Sequence, residues 1–304
     1  MVSRSDSVLI TGGSGFTGRS LTERLRKDGY SVTPVSRRAG DAGSLKVDLY
    51  DLNGLTQVLS RIQPNAIVHL AGISAPSHSN IPEIYSANVI GTANLFAAIE
   101  RAKLEPRIII VASSAQLYAV AAESAPLEEA NPLTARTHYA ISKRATEEIA
   151  AIYSRKFPVL VTRPFNYTGP GQSTNFLVPK IVQHYAQRRS EIRLGDLDLF
   201  RDFSDVVRVV EAYARLVSHP VSPTTVNICS GRAIHLLDII DIMTDLSGHQ
   251  IRVISDPSLL RSDEPRSIVG SPARLESLIG ELPSPEFKET LLRMRDSFCK
   301  SISQ

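Results

Sequence analysis

The chain has 304 residues, 42% of them hydrophobic, enough for one large α/β domain or for a core with a smaller lobe. Lys plus Arg number 34 against 31 Asp plus Glu, a formal charge of +3, so no nucleic-acid partner is expected, while a local basic pocket for an anionic small molecule stays open. Two distant cysteines, Cys229 and Cys299, and seven scattered histidines show no metal spacing, and no apolar run nears the ~20 residues of a membrane span; a reduced, cytoplasmic, metal-free protein is expected.

Residues 1–6 are polar and lead directly into an apolar run, so no signal peptide is expected. Residues 8–10 read as a short buried strand, 15–28 as a helix ended by Gly29, and 31–35 as a second strand. Continuous apolar runs at 66–70, 107–111 and 158–161 suit parallel strands covered on both faces. Between them, 88–101 and 139–156 read as helices, and the alternation predicts an α/β doubly wound parallel sheet of the Rossmann kind. Pro164, Gly169, Pro170 and Gly171 then mark a loop, 176–188 a helix, and 225–229 one more strand that returns to the sheet. From about residue 236 helices mix with a short strand at 251–254. The predicted division is a dinucleotide-binding domain of residues 1–170, with 203–230 returning to it, and a smaller C-terminal substrate-binding lobe of residues 171–202 and 231–304 over the carboxyl ends of the strands.

Gly12, Gly15 and Gly18 follow a strand and open a helix, the spacing of a dinucleotide fingerprint. Gly12 permits the tight turn, Gly15 lets a pyrophosphate approach the helix N-terminus, and Gly18 allows close helix–strand packing. Past the second strand, where an acid would bond a ribose 2′-hydroxyl, the chain offers Ser36, Arg37 and Arg38, and two guanidiniums suit a 2′-phosphate. Asp48 is a candidate adenine partner or a cap for the helix that follows. Tyr139 and Lys143 stand at i and i+4 on one helix face, so the ammonium is expected beside the phenol, lowering its pKa from about 10. That pairing predicts a proton donor or acceptor working beside a nicotinamide that moves the hydride.

Gly12-xx-Gly15-xx-Gly18, Leu70-Ala71-Gly72, Asn88-xx-Gly91-Thr92, Ser113-Ser114 and Tyr139-xxx-Lys143 together resemble the extended short-chain dehydrogenase/reductases, which are nucleotide-sugar epimerases, dehydratases and reductases. The likeness runs through nearly the whole chain. The segment from Arg163 to Gln172, with Asn175-Phe176, Gly195-Asp196, the run 201–206 and Arg261-xx-Glu264, is most similar to the branch that reduces GDP-4-keto-6-deoxy-D-mannose. The resemblance implies catalytic roles for Ser114, Tyr139 and Lys143: a hydrogen bond to the sugar C4 oxygen, the proton to it, and a bond to the nicotinamide ribose. It implies cofactor contacts from Gly12, Gly15, Phe16, Thr17, Gly18, Ser36, Arg37, Arg38, Asp48, Leu49, Leu70, Ala71, Gly72, Asn88, Tyr139, Lys143 and Arg163. Substrate contacts are implied for Ser114, Asn166, Asn175, Arg201, Arg261 and Glu264, although Arg201 could instead pair with Asp202 or Asp205, and Arg261 with Glu264. Asn88 could equally be a helix N-cap.

Two positions depart from the family pattern. Gln116 stands where dehydratases carry an acid, and an amide cannot remove a proton from sugar C5, which disfavours 4,6-dehydration. Ala119 follows Tyr118 in place of the usual glycine. The expected activity is an NADPH-dependent reduction of a GDP-linked 4-keto-6-deoxy sugar to a GDP-6-deoxyhexose of the GDP-D-rhamnose type. The alternatives are a nucleotide-sugar 4-epimerase retaining tightly bound NAD, and a non-catalytic dinucleotide sensor. A homodimer is expected through a four-helix bundle, with Ala93, Phe96, Ala97, Ala145, Ile149 and Ile152 supplying the apolar faces.

Overall fold

The computed structural model describes residues 6–37, 44–74, 79–119, 125–219, 223–259 and 265–302. The first part of the chain runs β1 (Ser7–Thr11), α1 (Phe16–Lys27), β2 (Ser31–Ser36), β3 (Leu45–Lys46), α2 (Leu52–Ile62), β4 (Ala66–His69), α3 (Ile81–Tyr85), α4 (Gly91–Arg101), β5 (Ile108–Ala112), α5 (His138–Tyr153) and β6 (Val159–Pro164). It continues through β7 (Asn166–Thr168), α6 (Leu177–Ala186), β8 (Glu191–Leu194), β9 (Phe200–Asp205), α7 (Val206–Ser218), β10 (Thr224–Ile228), β11 (Ala233–His235), α8 (Leu236–Ser247), β12 (Arg252–Ser255), β13 (Ser267–Ile268), α9 (Ala273–Ile279) and α10 (Phe287–Ile302).

Seven strands form one parallel sheet in the order β10-β6-β5-β4-β1-β2-β3. The apolar runs are explained by their two destinations. Val8 and Ile10 of β1, Val68 of β4 and Ile108 and Ile110 of β5 pack toward Leu21 and Leu25 of α1 and Val209 and Val210 of α7. The alternate residues, Leu9, Ile67, Ile109 and Val111, pack toward Leu55 and Leu59 of α2, Leu95 and Phe96 of α4 and Ala150 of α5. Successive side chains of a strand point to opposite faces, so a strand covered on both sides reads as continuously apolar. The fold is thus a doubly wound Rossmann-type sheet, and strand order reverses between β1 and β4, where the carboxyl ends of such sheets open a crevice for ligands.

A third cluster builds on Val178, Ile181 and Tyr185 of α6, Ile239 and Met243 of α8, and Leu291 and Met294 of α10. Beside it β11, β9 and β13 pair with one another, β7 joins the same β9, and β12 pairs with β8. Two expectations change. The stretch 164–171, read as loop, contains β7. The helix expected at 88–101 is broken by a π-helical turn, Ser86–Ile90, between α3 and α4. Such single turns are inserted where a side chain is aimed at a site, and here the turn carries Asn88.

Candidate active site

The glycine turn sits at the end of β1. Gly12 has φ +70°, and a Cβ there would stand 2.8 Å from the Ala71 nitrogen; a Cβ on Gly18 would collide with the Gly12 carbonyl. Gly15 caps α1 without a side-chain hydrogen bond, and the first turn carries no acidic residue. The positive end of α1 therefore faces outward without a protein oxygen from its cap, the arrangement that receives a phosphate. The residues present fit the diphosphate of a dinucleotide. Phe16 and Thr17 lie under β7: the Thr17 hydroxyl is 2.8 Å from the Tyr167 phenol, and the Phe16 and Tyr167 rings stack at 6.0 Å.

At the end of β2, Ser36 is buried and Arg37 is exposed, its Nη2 3.5 Å from Glu83 Oε1. Arg38 lies outside the described residues. Asp48 is exposed and accepts from the Tyr50 amide at 3.0 Å, while the cap of α2 is Asp51, which accepts from Gly54 at 2.9 Å. The Leu49 carbonyl takes a 2.8 Å hydrogen bond from Asn94 of α4. Past β4, the Leu70 and Ala71 amides donate to the Thr11 carbonyl and hydroxyl at 3.2 and 3.1 Å. Asn88 is 1% exposed; its Oδ1 accepts from the Ile73 amide at 2.8 Å and its Nδ2 donates to the Ser142 hydroxyl at 2.8 Å. It thus joins the segment after Gly72 to α5 rather than capping a helix.

Ser114 follows β5 and caps the short turn Ala115–Leu117, its Oγ accepting from the Gln116 amide at 3.2 Å. Its hydroxyl also hydrogen-bonds the phenol of Tyr139. Tyr139 lies in the first turn of α5, which Thr137 caps through the Ala140 amide at 3.1 Å. Lys143 follows one turn on and donates from Nζ to the Ala112 carbonyl at 2.8 Å. Ser114, Tyr139 and Lys143 are each buried, and the adjacent Ser113 hydroxyl is buried with no hydrogen-bond partner among the described residues.

One expectation is reversed here. Burial pushes the Tyr139 phenol up to about 12, opposed by the Ser114 hydrogen bond and reinforced by the nearby Tyr167. The cost of burying a phenolate outweighs any help from Lys143, whose ammonium is spent on the Ala112 carbonyl. Lys143 itself is lowered by burial to about 8, with Glu147 opposing.

The remaining positions divide. Asn166 and Asn175 are exposed. Arg201 is buried in β9 and donates to the carbonyls of Phe200 and Arg266 at 2.7 and 3.2 Å. The acids weighed as its partners are engaged elsewhere: Asp202 accepts from Ser230 and Gly231, and Asp205 from Val207, Thr290 and Arg293. Arg261 and Glu264 lie outside the described residues. Arg163 is placed unlike the other expected cofactor contacts. Its guanidinium makes two 2.8 Å hydrogen bonds to the Glu147 carboxylate and two of 3.1 Å, to the Tyr118 phenol and the Glu129 carbonyl. Sequence reasoning did not find Tyr167 over the glycine turn or His69 beneath it; a histidine closing an apolar strand run was the available signal for the second.

Fold and site together define a dinucleotide-dependent enzyme with a buried tyrosine and lysine on one turn of α5. Residues 8–229 match the NAD dependent epimerase/dehydratase family, and the chain belongs to that family; it is an NAD(P)-dependent enzyme of the oxidoreductase type. It is 32% identical to the GDP-6-deoxy-D-talose 4-dehydrogenase of Aggregatibacter actinomycetemcomitans, over 90% of this chain and 91% of that one. It is 30% identical to the GDP-6-deoxy-D-mannose reductase of Pseudomonas aeruginosa, over 93% of this chain and 94% of that one. The structure of RMD from Pseudomonas aeruginosa complexed with NADPH superposes with a TM-score of 0.88 at 28% identity, covering 97% of this chain and 99% of that chain. Among the described residues, no helix is long and apolar enough to cross a membrane.

Proposed function

We propose that the protein reduces the C4 ketone of a GDP-4-keto-6-deoxyhexose with NADPH, giving a GDP-6-deoxyhexose. The observation that carries this reading is the convergence of Ser114, Tyr139 and Lys143 beside the open end of α1, with the amide Gln116 where a dehydratase would need an acid. The curated relatives named above act on GDP-6-deoxyhexoses, which supports the substrate class.

The backbone of Gly15 to Gly18 would hold the cofactor diphosphate and Arg37 and Arg38 its 2′-phosphate, and the buried Ser113 hydroxyl, without a hydrogen-bond partner among the described residues, would be available to the bound cofactor. When bound, NADPH supplies the hydride for C4. Ser114 holds the C4 oxygen by a hydrogen bond, and Tyr139 gives that oxygen its phenolic proton. Lys143, cationic below about pH 8, faces the phenolate that results. Asn166, Asn175, Arg201, Arg261 and Glu264 hold the nucleoside diphosphate of the sugar. Gln116 leaves the C5 proton in place.

The test is a panel of GDP-, UDP- and dTDP-4-keto-6-deoxy sugars with NADPH and NADH, followed by nicotinamide absorbance. Turnover confined to the GDP ketose and faster with NADPH is expected, and the C4 configuration of the product separates the rhamnose from the talose outcome. NAD that stays bound through purification, with interconversion of C4 epimers, would assign a 4-epimerase instead.

A further inference from the structure

His69, the last residue of β4, is 2% exposed and lies between two hydroxyls. Its Nδ1 is 2.7 Å from Thr11 Oγ1 and its Nε2 is 2.9 Å from Thr92 Oγ1. Thr11 ends β1, directly before Gly12, and its Oγ1 accepts from the Ala71 amide at 3.1 Å. Thr92 opens α4, and its hydroxyl donates to the Asn88 carbonyl at 2.6 Å.

These contacts fix the direction of every proton. The Thr92 proton goes to the Asn88 carbonyl, so Thr92 accepts from His69 Nε2–H. The Thr11 hydroxyl already accepts from Ala71, and the acceptor for its own proton is Nδ1. Burial holds the ring neutral, its pKa lowered to about 3, so it carries one N–H only. The opposite tautomer would leave the buried Thr11 proton without an acceptor. The chain then continues: Asn88 Nδ2 donates to Ser142 and Ser142 donates to the Tyr139 carbonyl at 2.7 Å, while the Thr146 hydroxyl lies between the Asn88 and Ser142 carbonyls at 3.0 and 2.9 Å.

We propose that His69 is a positioning residue of the reaction: through Thr11 and Thr92 it fixes the glycine turn and the Tyr139–Lys143 turn of α5 in one register. The assignment rests on the reading of Tyr139 as proton donor. His69 touches neither the glycine-turn surface nor the Tyr139 phenol in the contacts above, and acts through the two threonines. Its side chain replaces a flexible join between two strand ends by a ring with one donor and one acceptor, a case of holding reactive groups in place before substrate arrives.

Thr92→Val removes the Nε2 acceptor at nearly constant volume, Thr92→Ser keeps it, and Thr11→Val cuts the chain at its other end. Each variant is measured for Tm, for NADPH Kd by fluorescence, and for kcat per cofactor-binding molecule. Thr92→Val and Thr11→Val are expected to lower kcat about 10- to 100-fold, with the substrate KM changed much less, and Thr92→Ser is expected to stay within about threefold of wild type. Unchanged kcat per binding-competent molecule in either valine variant, or equal loss in Thr92→Ser, overturns the proposal. A readout independent of any sugar uses 15N-histidine NMR of the unvaried protein between pH 5 and 8. An unprotonated Nδ1 and a protonated Nε2 are expected throughout; the opposite tautomer or a cationic ring overturns the assignment even if no variant folds. Failure of the wild type on every keto sugar would sink the substrate reading and leave this spectrum to decide the hydrogen-bond chain.

Discussion

In the proposed reduction Tyr139 would start protonated. Its phenol titrates near 12, so across the neutral range the acid form needed to protonate a C4 alkoxide is fully populated. Lys143 titrates near 8, and above that value the phenolate left behind loses its cationic neighbour. The rate of reduction should therefore be flat below about pH 8 and fall above it, while the reverse oxidation, which starts from phenolate, should rise with pH. Tyr139→Phe should keep cofactor and sugar binding and lose about 10²–10⁴-fold in turnover. Near-normal turnover on the true substrate would remove Tyr139 from the mechanism. At this scale the sequence carried the partners but not their surroundings. The i, i+4 spacing places Lys143 one turn from Tyr139, yet burial decides the sign of the shift, and the groups that meet the phenol, Ser114 and Tyr167, are distant in sequence.

Among the elements, the join of β6 to α5 is electrostatic. Arg163 and Glu147 have side-chain exposures of 7% and 10%, and the guanidinium meets the carboxylate through two hydrogen bonds. Removing one partner of such a buried pair leaves an uncompensated charge and costs about 3–5 kcal/mol. Arg163→Met should accordingly lower Tm strongly and leave the NADPH Kd of the folded protein near its original value. A large rise in Kd at unchanged Tm would return Arg163 to the cofactor site. The long elements were legible in sequence because each buries a periodic apolar face: α1 through Leu21 and Leu25, and β5 through its unbroken Ile run. The small sheet was not. β7 and β11 have three residues each and β13 two, too few to show alternation, and their shared partner β9 carries Arg201, Asp202 and Asp205, whose charges mask it as a surface segment.

For the whole molecule, the proposed dimer rests on the face of α4 and α5. Phe96, expected on that face, is fully buried in the core under its own sheet and stacks on Tyr153 at 4.5 Å, and Ile149 packs on the same core. The exposed apolar side chains there are Ile90, Ile141 and Ile152, with Ile152 at 66%. These three suit a symmetric contact with a second copy. Light scattering should give a dimer for the wild type and a monomer for Ile152→Glu; a monomeric wild type at micromolar concentration would refute the assembly.

The passage from β6 to β7 takes one residue. Pro164 still pairs with Ile228 in the seven-stranded sheet, Asn166 already pairs with Phe203 in the small sheet, and Phe165 alone lies between, its amide on the Ile228 carbonyl at 2.9 Å and its ring in a cluster with Ala115, Tyr118 and Cys229. A recombinant chimaera that takes the part of the chain after β6 from a relative cannot place its seam there, because the two sheets share a strand exit and a buried ring. A working exchange would have to carry β6, Phe165 and the Ala115–Tyr118 segment together, so the two sheets can be transplanted only as one block.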